Sequence, residues 1–357
     1  MLTAGLKRYP HHARETLQAW DSADELLLQH MSTAELKNSR ILIINDQFGA
    51  ICCSLKDYDI THYTDSFISE KGIRINSGEQ IQSINSLAKL SGIYHYVLIR
   101  IPKNMSFFED TLAQLTGHLD SNSKIIATAM VKHLAKTSFE LLQKYIGETT
   151  TSLAQKKARL IFSPFQKEKT ESPYPLSISV DSFEKRFVNH SNLFSREKLD
   201  IGTRFFLEHI PQGNFQKILD LGCANGIIGI MAKKLNPDAK IIFSDESAMA
   251  VESTKTNYQN YFSDDAQYLW TNCFEDQEAN SLDLVLCNPP FHQQSMIDDQ
   301  IALQMFRDSH HSLKKGGKIR VIGNSHLGYQ LVLKKVFGNS TIIATNQKFM
   351  IVDAVKT

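Results

Sequence analysis

Residues 217–235 read KILDLGCANGIIGIMAKKL, and the reading of this stretch decides the fold. Lys217 to Leu221 is an apolar run with the length of a buried strand, Gly222 to Gly226 is a turn of small residues, and Ile227 to Leu235 is an apolar helical segment. Strand, small-residue turn and helix in that order open a doubly wound α/β fold. Gly222 and Gly226 let the backbone approach a ligand closely, and the helix start offers N–H groups that lack helical partners. A dinucleotide fingerprint needs glycines spaced G-x-G-x-x-G. Ala224 stands where the second belongs, which tells against a hydride-transfer enzyme.

Downstream, the apolar run Lys240 to Ser244 ends at Asp245-Glu246, about 20 residues past the glycine turn, the spacing at which an acid grips ribose hydroxyls in such folds. Asp245 is the first choice for that role and Glu246 the second, although both acids also suit the start of the following helix. A third strand, Tyr268 to Thr271, ends at Asn272. A fourth, Leu284 to Cys287, ends at Asn288-Pro289-Pro290-Phe291. A planar exocyclic amine has its lone pair conjugated into a ring and is a poor nucleophile until both its hydrogens are held. The Asn288 carbonyl and the Pro289 carbonyl suit that task, because Pro289 and Pro290 stiffen the backbone and donate no N–H, and Phe291 offers a stacking face. All four strand ends point the same way, and ligands of open α/β sheets bind beyond the carboxyl ends of strands. A helical stretch from Asp299 to Leu313, a stop at Gly316-Gly317, and strands over Lys318 to Ile322, Ser340 to Ala344 and Lys348 to Val355 complete a seven-stranded sheet. These residues leave open which planar nitrogen is served: a guanine 2-amino group, an adenine 6-amino group or a glutamine amide. A non-catalytic RNA-binding assembly factor with a vestigial site is the reading from another class.

The Asp220-x-Gly222-x-Ala224-x-Gly226 pattern resembles the first motif of S-adenosylmethionine-dependent methyltransferases. Across nearly the whole chain the sequence resembles the ribosomal RNA guanine 2-amino methyltransferases, first the G family, which acts on RNA of the large ribosomal subunit, and next its C-type relative, which acts on RNA of the small one. The resemblance is carried by residues 19–24, Asn45-Asp46 before Phe48-Gly49-Ala50, residues 156–159, Val188-Asn189-His190, Phe194-Ser195-Arg196, Leu199-Asp200-Ile201-Gly202, and CNPPFHQQ at 287–294, the most specific of these. It implies methylation of one guanine in large-subunit (23S) ribosomal RNA, with S-adenosylmethionine held by Asp220, Gly222, Ala224, Gly226, Asp245, Glu246 and Asn272. In methyltransferases Asn272 stands where the adenine amino group is read. It implies catalysis by Asn288, Pro289, Pro290 and Phe291, with naked or pre-assembly RNA as the partner, since a paired base must be exposed to reach Phe291. The family normally has glycine at position 224, and alanine suits the turn if its φ is negative.

The chain's 357 residues and 42% hydrophobic content suffice for two cores. Leu142, Lys144, Gly147, Thr150 and Lys157 align without gaps on Leu333, Lys335, Gly338, Thr341 and Lys348, and Val97-Leu98 before Pro102 matches Val285-Leu286 before Pro290. The expected fold is therefore α/β, two Rossmann-like class I methyltransferase domains in tandem: a degenerate one over residues 1–163, a linker over 164–175, and a catalytic one over 176–357 with a seven-stranded, mostly parallel sheet. In the first, Phe48 stands in the turn and Arg100 replaces Asn288. A guanidinium only donates, so this half is expected to be silent.

Lys plus Arg of 39 against Asp plus Glu of 38 leaves a net charge of +1, so no overall basic excess announces an RNA binder. Local candidates are Lys185, Arg186, Arg196, Lys198 and Arg204, with Lys103, Lys132 and Lys136 in the first half. Five cysteines without a C-x-x-C pair read as buried thiols of a reducing cytoplasm, and the histidines show no zinc spacing, so no metal is expected. Met1 to Ala19 lacks an apolar signal core, and no run is long enough for a membrane span.

Overall fold

The computed structural model describes residues 5–11, 15–290 and 296–357. The chain divides between Tyr174 and Pro175 into two units, at the far end of the expected linker. The residues before that point are tied to the first unit: Thr170 N donates to Thr116 Oγ1 (2.9 Å) and Ser172 Oγ to Asp110 Oδ1 (2.6 Å).

The first unit opens with α1 (Ser22–Met31), capped by the Asp21 side chain. It continues through β1 (Arg40–Ile44), α2 (Ala50–Ser54), β2 (Asp59–Tyr63), α3 (Phe67–Asn76), β3 (Ser83–Ile84), β4 (Tyr96–Arg100), α4 (Met105–Leu115), β5 (Lys124–Met130), α5 (Lys136–Tyr145), β6 (Thr150–Thr151) and β7 (Ala158–Pro164). Its sheet runs β3-β2-β1-β4-β5-β7-β6.

The second unit begins with a hairpin of β8 (Leu176–Ile178) and β9 (Phe187–Asn189), then α6 (Ile201–Leu207). The main sheet follows through β10 (Lys217–Leu221), α7 (Ile227–Leu235), β11 (Lys240–Asp245), α8 (Ala248–Tyr261), β12 (Gln267–Trp270), β13 (Leu282–Cys287), α9 (Met296–Ser312), β14 (Leu313–Asn324), α10 (Tyr329–Phe337), β15 (Thr341–Thr345) and β16 (Phe349–Val355). Its order, β12-β11-β10-β13-β14-β16-β15, repeats that of the first sheet strand for strand. Five neighbouring strands are parallel, β16 runs antiparallel to β14, and β15, antiparallel to β16, returns to the common direction. The gapless match noted in the sequence falls on α5, β6 and β7 in one unit and α10, β15 and β16 in the other.

The second sheet is buried on both faces, which is why its central strands are continuous apolar runs. Ile218, Phe243, Leu284 and Leu286 pack beneath α7 and α8, while Leu219, Leu221, Val285 and Cys287 pack beneath α9 and α10. Where the sequence suggested a stop at Gly316-Gly317, β14 runs through both glycines. Its register on β13 shifts between Leu282 and Leu284, Gly316 takes φ +81°, and the two glycines exchange backbone hydrogen bonds with Lys356, so they form a bulge inside one long strand. Directly opposite each other on β14 and β16, Arg320 and Asp353 form a buried fork: Nε to Oδ1 and Nη2 to Oδ2, both 2.6 Å. Among the described residues no helix is long and apolar enough to cross a membrane.

Candidate active site

The turn after β10 is built from left-handed backbone. Gly222, Ala224 and Gly226 have φ of +75°, +49° and +79°. Gly226 also leaves no room, because a Cβ there would lie 2.8 Å from Thr254 Cγ2 and 3.3 Å from Thr254 Cα. The tolerance expected of Ala224 rested on a negative φ, and the structure gives a positive one. The left-handed conformation sets Ala224 N to donate to Asp245 Oδ2 (2.9 Å) and Ala224 O to accept from Thr254 Oγ1 (3.1 Å), and these bonds hold alanine in a region that costs it about 1–2 kcal/mol. Ala224→Gly is expected to stabilise the protein by about 1 kcal/mol without loosening donor binding. Urea unfolding and donor titration check this, and a lower midpoint would show that the methyl group packs favourably.

Two stretches far from the turn brace it. Asn225 Nδ2 donates to Asn189 Oδ1 on β9 (3.0 Å), and Asn257 Nδ2 on α8 donates to both Asn225 O and Val188 O (2.9 Å each). Val188 N in turn donates to Asn257 Oδ1 (2.7 Å). Sequence reasoning missed Asn257 and Thr254, which carry no local signal. Asn189 lay in a recognised stretch without a role.

Register places the remaining strand ends side by side. Leu221 pairs with Ser244 on one flank and Cys287 on the other, so Gly222, Asp245 and Asn288 occupy adjacent positions at the carboxyl edge of β10, β11 and β13. Asp245 receives Ala224 N on Oδ2 and Ser247 N on Oδ1, both at 2.9 Å, which leaves its carboxylate oriented by the turn and by the start of α8. Glu246 follows it, its carbonyl accepting from Trp270 Nε1 (2.9 Å). Asn272 lies two residues beyond β12, buried, with its amide donating to Glu275 (2.9 Å).

Asn288 donates from Nδ2 to Thr203 Oγ1 on α6 (3.1 Å), while its Oδ1 is buried without a protein hydrogen-bond partner. A buried amide carbonyl left unpaired costs about 1–3 kcal/mol. Pro289 and Pro290 follow it, outside any helix or strand. Phe291 lies outside the described residues.

Asp220, on the α7 face of β10, receives Gly229 N on Oδ2 (2.8 Å), and its Oδ1 is buried without a partner. Burial pushes its pKa up to about 8, against the pull of the Gly229 N–H and with a further push from Asp245. Unfolded, the group titrates near 3.9. Between these values the folded protein keeps a proton that the unfolded chain releases, so Asp220 lowers stability progressively as pH rises from about 4 to about 8. Asp220→Asn is expected to flatten that decline, and urea midpoints of both proteins at pH 5 and 8 read the difference. Equal slopes would mean the carboxyl is ionised throughout. Burial also pushes the Cys223 and Cys287 thiols well above their ordinary range, so neither is a ready thiolate. Among the described residues no group of three or more metal-ligating side chains gathers.

At the matching edge of the first unit the same positions are filled from within. Ile44 pairs with Ile99 as Leu221 pairs with Cys287, which makes Asp46 the counterpart of Cys223 and Arg100 the counterpart of Asn288. Asp46 caps its own turn, accepting from Gly49, Ile51 and Cys52 N–H groups at 3.1, 2.9 and 2.8 Å, and Phe48 is buried. Arg100 is spent on Asp21 (2.8 Å) and Asp24 (3.3 Å), with burial pushing Asp24 up to about 7.

In the second unit, then, a left-handed small-residue turn, an oriented acid on the next strand and an Asn-Pro-Pro end on the strand beyond share one edge of a seven-stranded sheet. That arrangement defines the class of S-adenosylmethionine-dependent methyltransferases. The unpaired Asp220 oxygen and the Asp245 carboxylate fit a donor that carries an ammonium group and ribose hydroxyls. The chain matches two family profiles, the RLMG N-terminal domain over residues 2–167 and the Methyltransferase small domain over residues 184–353. It is 41% identical to the Ribosomal RNA large subunit methyltransferase G of Psychromonas ingrahamii, with 99% of this chain and 97% of that one aligned. It is 44% identical to the protein of the same name from Photobacterium profundum, over 99% and 97%. The chain belongs to the ribosomal RNA large subunit methyltransferase G family. Its fold is also that of the 16S rRNA N2 methyltransferase RsmC of T. Thermophilus, solved with AdoMet and guanosine: TM-score 0.79, 18% identity, 94% of this chain and 92% of that one covered.

Proposed function

We propose that this protein transfers a methyl group to the exocyclic 2-amino group of one guanine in large-subunit (23S) ribosomal RNA. The observation that carries the reading is the buried, unpartnered Oδ1 of Asn288, next in line to the glycine turn. In this reading Asn288 Oδ1 and the Pro289 carbonyl accept the two amine hydrogens, which localises the lone pair on nitrogen and orients it for attack. Phe291 stacks on the base. Asp220, Gly222, Ala224, Gly226, Asp245, Glu246 and Asn272 form the donor pocket, with Asp245 on the ribose hydroxyls. When bound, S-adenosylmethionine supplies an electrophilic methyl carbon on a good leaving group. Most of what the protein adds is then alignment.

The relatives' names support ribosomal RNA as the substrate, and the guanosine bound to RsmC favours guanine over adenine or an amide. The net charge of +1 conceals a local groove of about 580 Å³ lined by Leu303, Arg307, His310, His311, Lys335, Val336 and Lys356, without a carboxylate, at the sheet edge away from Asn288. The test is tritiated methyl transfer to protein-free large-subunit rRNA, assembled subunits, bulk DNA and a protein extract, followed by nucleoside analysis. The expected product is 2-N-methylguanosine, with naked rRNA a better substrate than assembled subunits. Label in methyladenine or in protein overturns the assignment.

The first unit is non-catalytic in this reading, a holder of RNA, because Asp46 and Phe48 fill the turn a donor would need and Arg100 stands in place of the acceptor Asn288. Titration calorimetry is expected to give one donor per chain, and two would contradict this reading.

A further inference from the structure

We infer that Asp200 and Thr203 are positioning residues for methyl transfer, which dictate that Asn288 turns its carbonyl and not its amide toward the substrate amine. The inference rests on the reading of Asn288 above. A primary carboxamide has two ends of similar size, and only the oxygen end serves here, since an NH₂ facing an amine hydrogen would set donor against donor. Something must discriminate the two orientations.

The discrimination comes from a chain of hydrogen bonds whose direction is set at its far end. Asp200 is the N-cap of α6, and its Oδ2 accepts from Thr203 N (2.9 Å). The same oxygen accepts from the Thr203 hydroxyl (3.4 Å). A carboxylate is acceptor-only, so the single hydroxyl proton of Thr203 is drawn toward it, and the lone pairs of Oγ1 are presented to Asn288. Asn288 answers with Nδ2 at 3.1 Å, and its Oδ1 is thereby aimed away, buried and unpaired. Flipping the amide would set its oxygen against an oxygen whose proton is already committed. Thr203 is itself buried, which removes water as a substitute partner.

The neighbouring sequence fits this geometry. A Cβ on Gly202 would lie 2.9 Å from Phe349 Cε1 and 3.0 Å from Asp200 Oδ2, so a larger residue there would displace the carboxylate that starts the chain. Leu199-Asp200-Ile201-Gly202, a stretch without an evident role in the sequence, thus acquires one through Thr203, which lies 85 residues from the side chain it orients.

The experiment measures kcat, KM for rRNA and donor Kd for Thr203→Val, Thr203→Ser and Asp200→Asn beside Asn288→Ala. Thr203→Val is expected to lower kcat by about 10–100-fold, with donor Kd within error of the wild type and the melting temperature lowered by only a few degrees, and Thr203→Ser to restore kcat to within about threefold. Asp200→Asn keeps an oxygen for the helix cap and adds a competing donor, so it is expected to lower kcat by about tenfold; it carries the test if Thr203→Val does not fold. Wild-type kcat in both Thr203→Val and Asp200→Asn would overturn the inference, as would Thr203→Ser as slow as Thr203→Val. If Asn288→Ala is inactive while Thr203→Val is fully active, this inference alone fails. If Asn288→Ala is active, the catalytic reading of Asn288 fails first.

Discussion

Asn288→Ala is expected to lower methyl transfer by about 10³-fold while leaving the donor dissociation constant within about twofold of the wild type. The size follows from what is removed: a preorganised acceptor in a buried site, which cannot be replaced by water without loss, and such groups are worth roughly 10²–10³-fold each. The Pro289 carbonyl alone would hold one hydrogen and leave the amine free to rotate. In the proposed site the donor rests on Gly222, Gly226 and Asp245, whereas the Asn288 side chain hydrogen-bonds to Thr203 and to none of these. Single-turnover kinetics with calorimetric donor titration separate the two effects. Parallel loss of transfer and donor binding would instead make Asn288 a structural strut.

Asp353→Ala is expected to cost about 3–5 kcal/mol of stability, the largest effect on folding predicted for a single side chain here. Its partner Arg320 is buried in the same cross-strand fork and donates to the backbone carbonyl of His209 as well. Removing the carboxylate leaves a largely buried guanidinium with the His209 carbonyl as its remaining hydrogen-bond partner. Lys318, 3.8 Å from the same carboxylate, would lose a partner too but can turn toward solvent. Replacing both members, Arg320→Met with Asp353→Leu, is expected to recover most of the loss, leaving chiefly the unpaired His209 carbonyl. Urea unfolding of the single and double variants checks both statements. A single variant within about 1 kcal/mol of the wild type would mean the charge is neutralised by other means.

The strands and the order of the site residues were legible because their signals are local. β10 and α7 have the bounds read from residues 217–235, since an apolar run, two glycines and a second apolar run leave little choice. The repeat was legible because the last helix and two strands of each unit kept their spacing. Gly316-Gly317 misled because glycine is the commonest punctuation in a chain, and whether it ends a strand or bulges one depends on a neighbour, here Lys356, that lies far along the sequence. Ala224 misled for a related reason: residue type biases φ, but the hydrogen bonds to Asp245 and Thr254 decide it. The Asp200–Thr203–Asn288 chain and the Arg320–Asp353 fork were invisible because each joins segments whose proximity exists only once the sheet has formed.

The asparagines that bracket the donor turn carry a wider implication. Asn189 belongs to the hairpin ahead of the main sheet and Asn257 to a helix behind it, yet both close on Asn225. The rigidity of the cofactor crevice is thus borrowed from sequence on either side of the recognisable motif. A fragment beginning at α6 would retain every signature residue and every strand of the main sheet while surrendering one jaw of the vice. What a motif search would score as a complete enzyme would then hold its methyl donor in a looser grip.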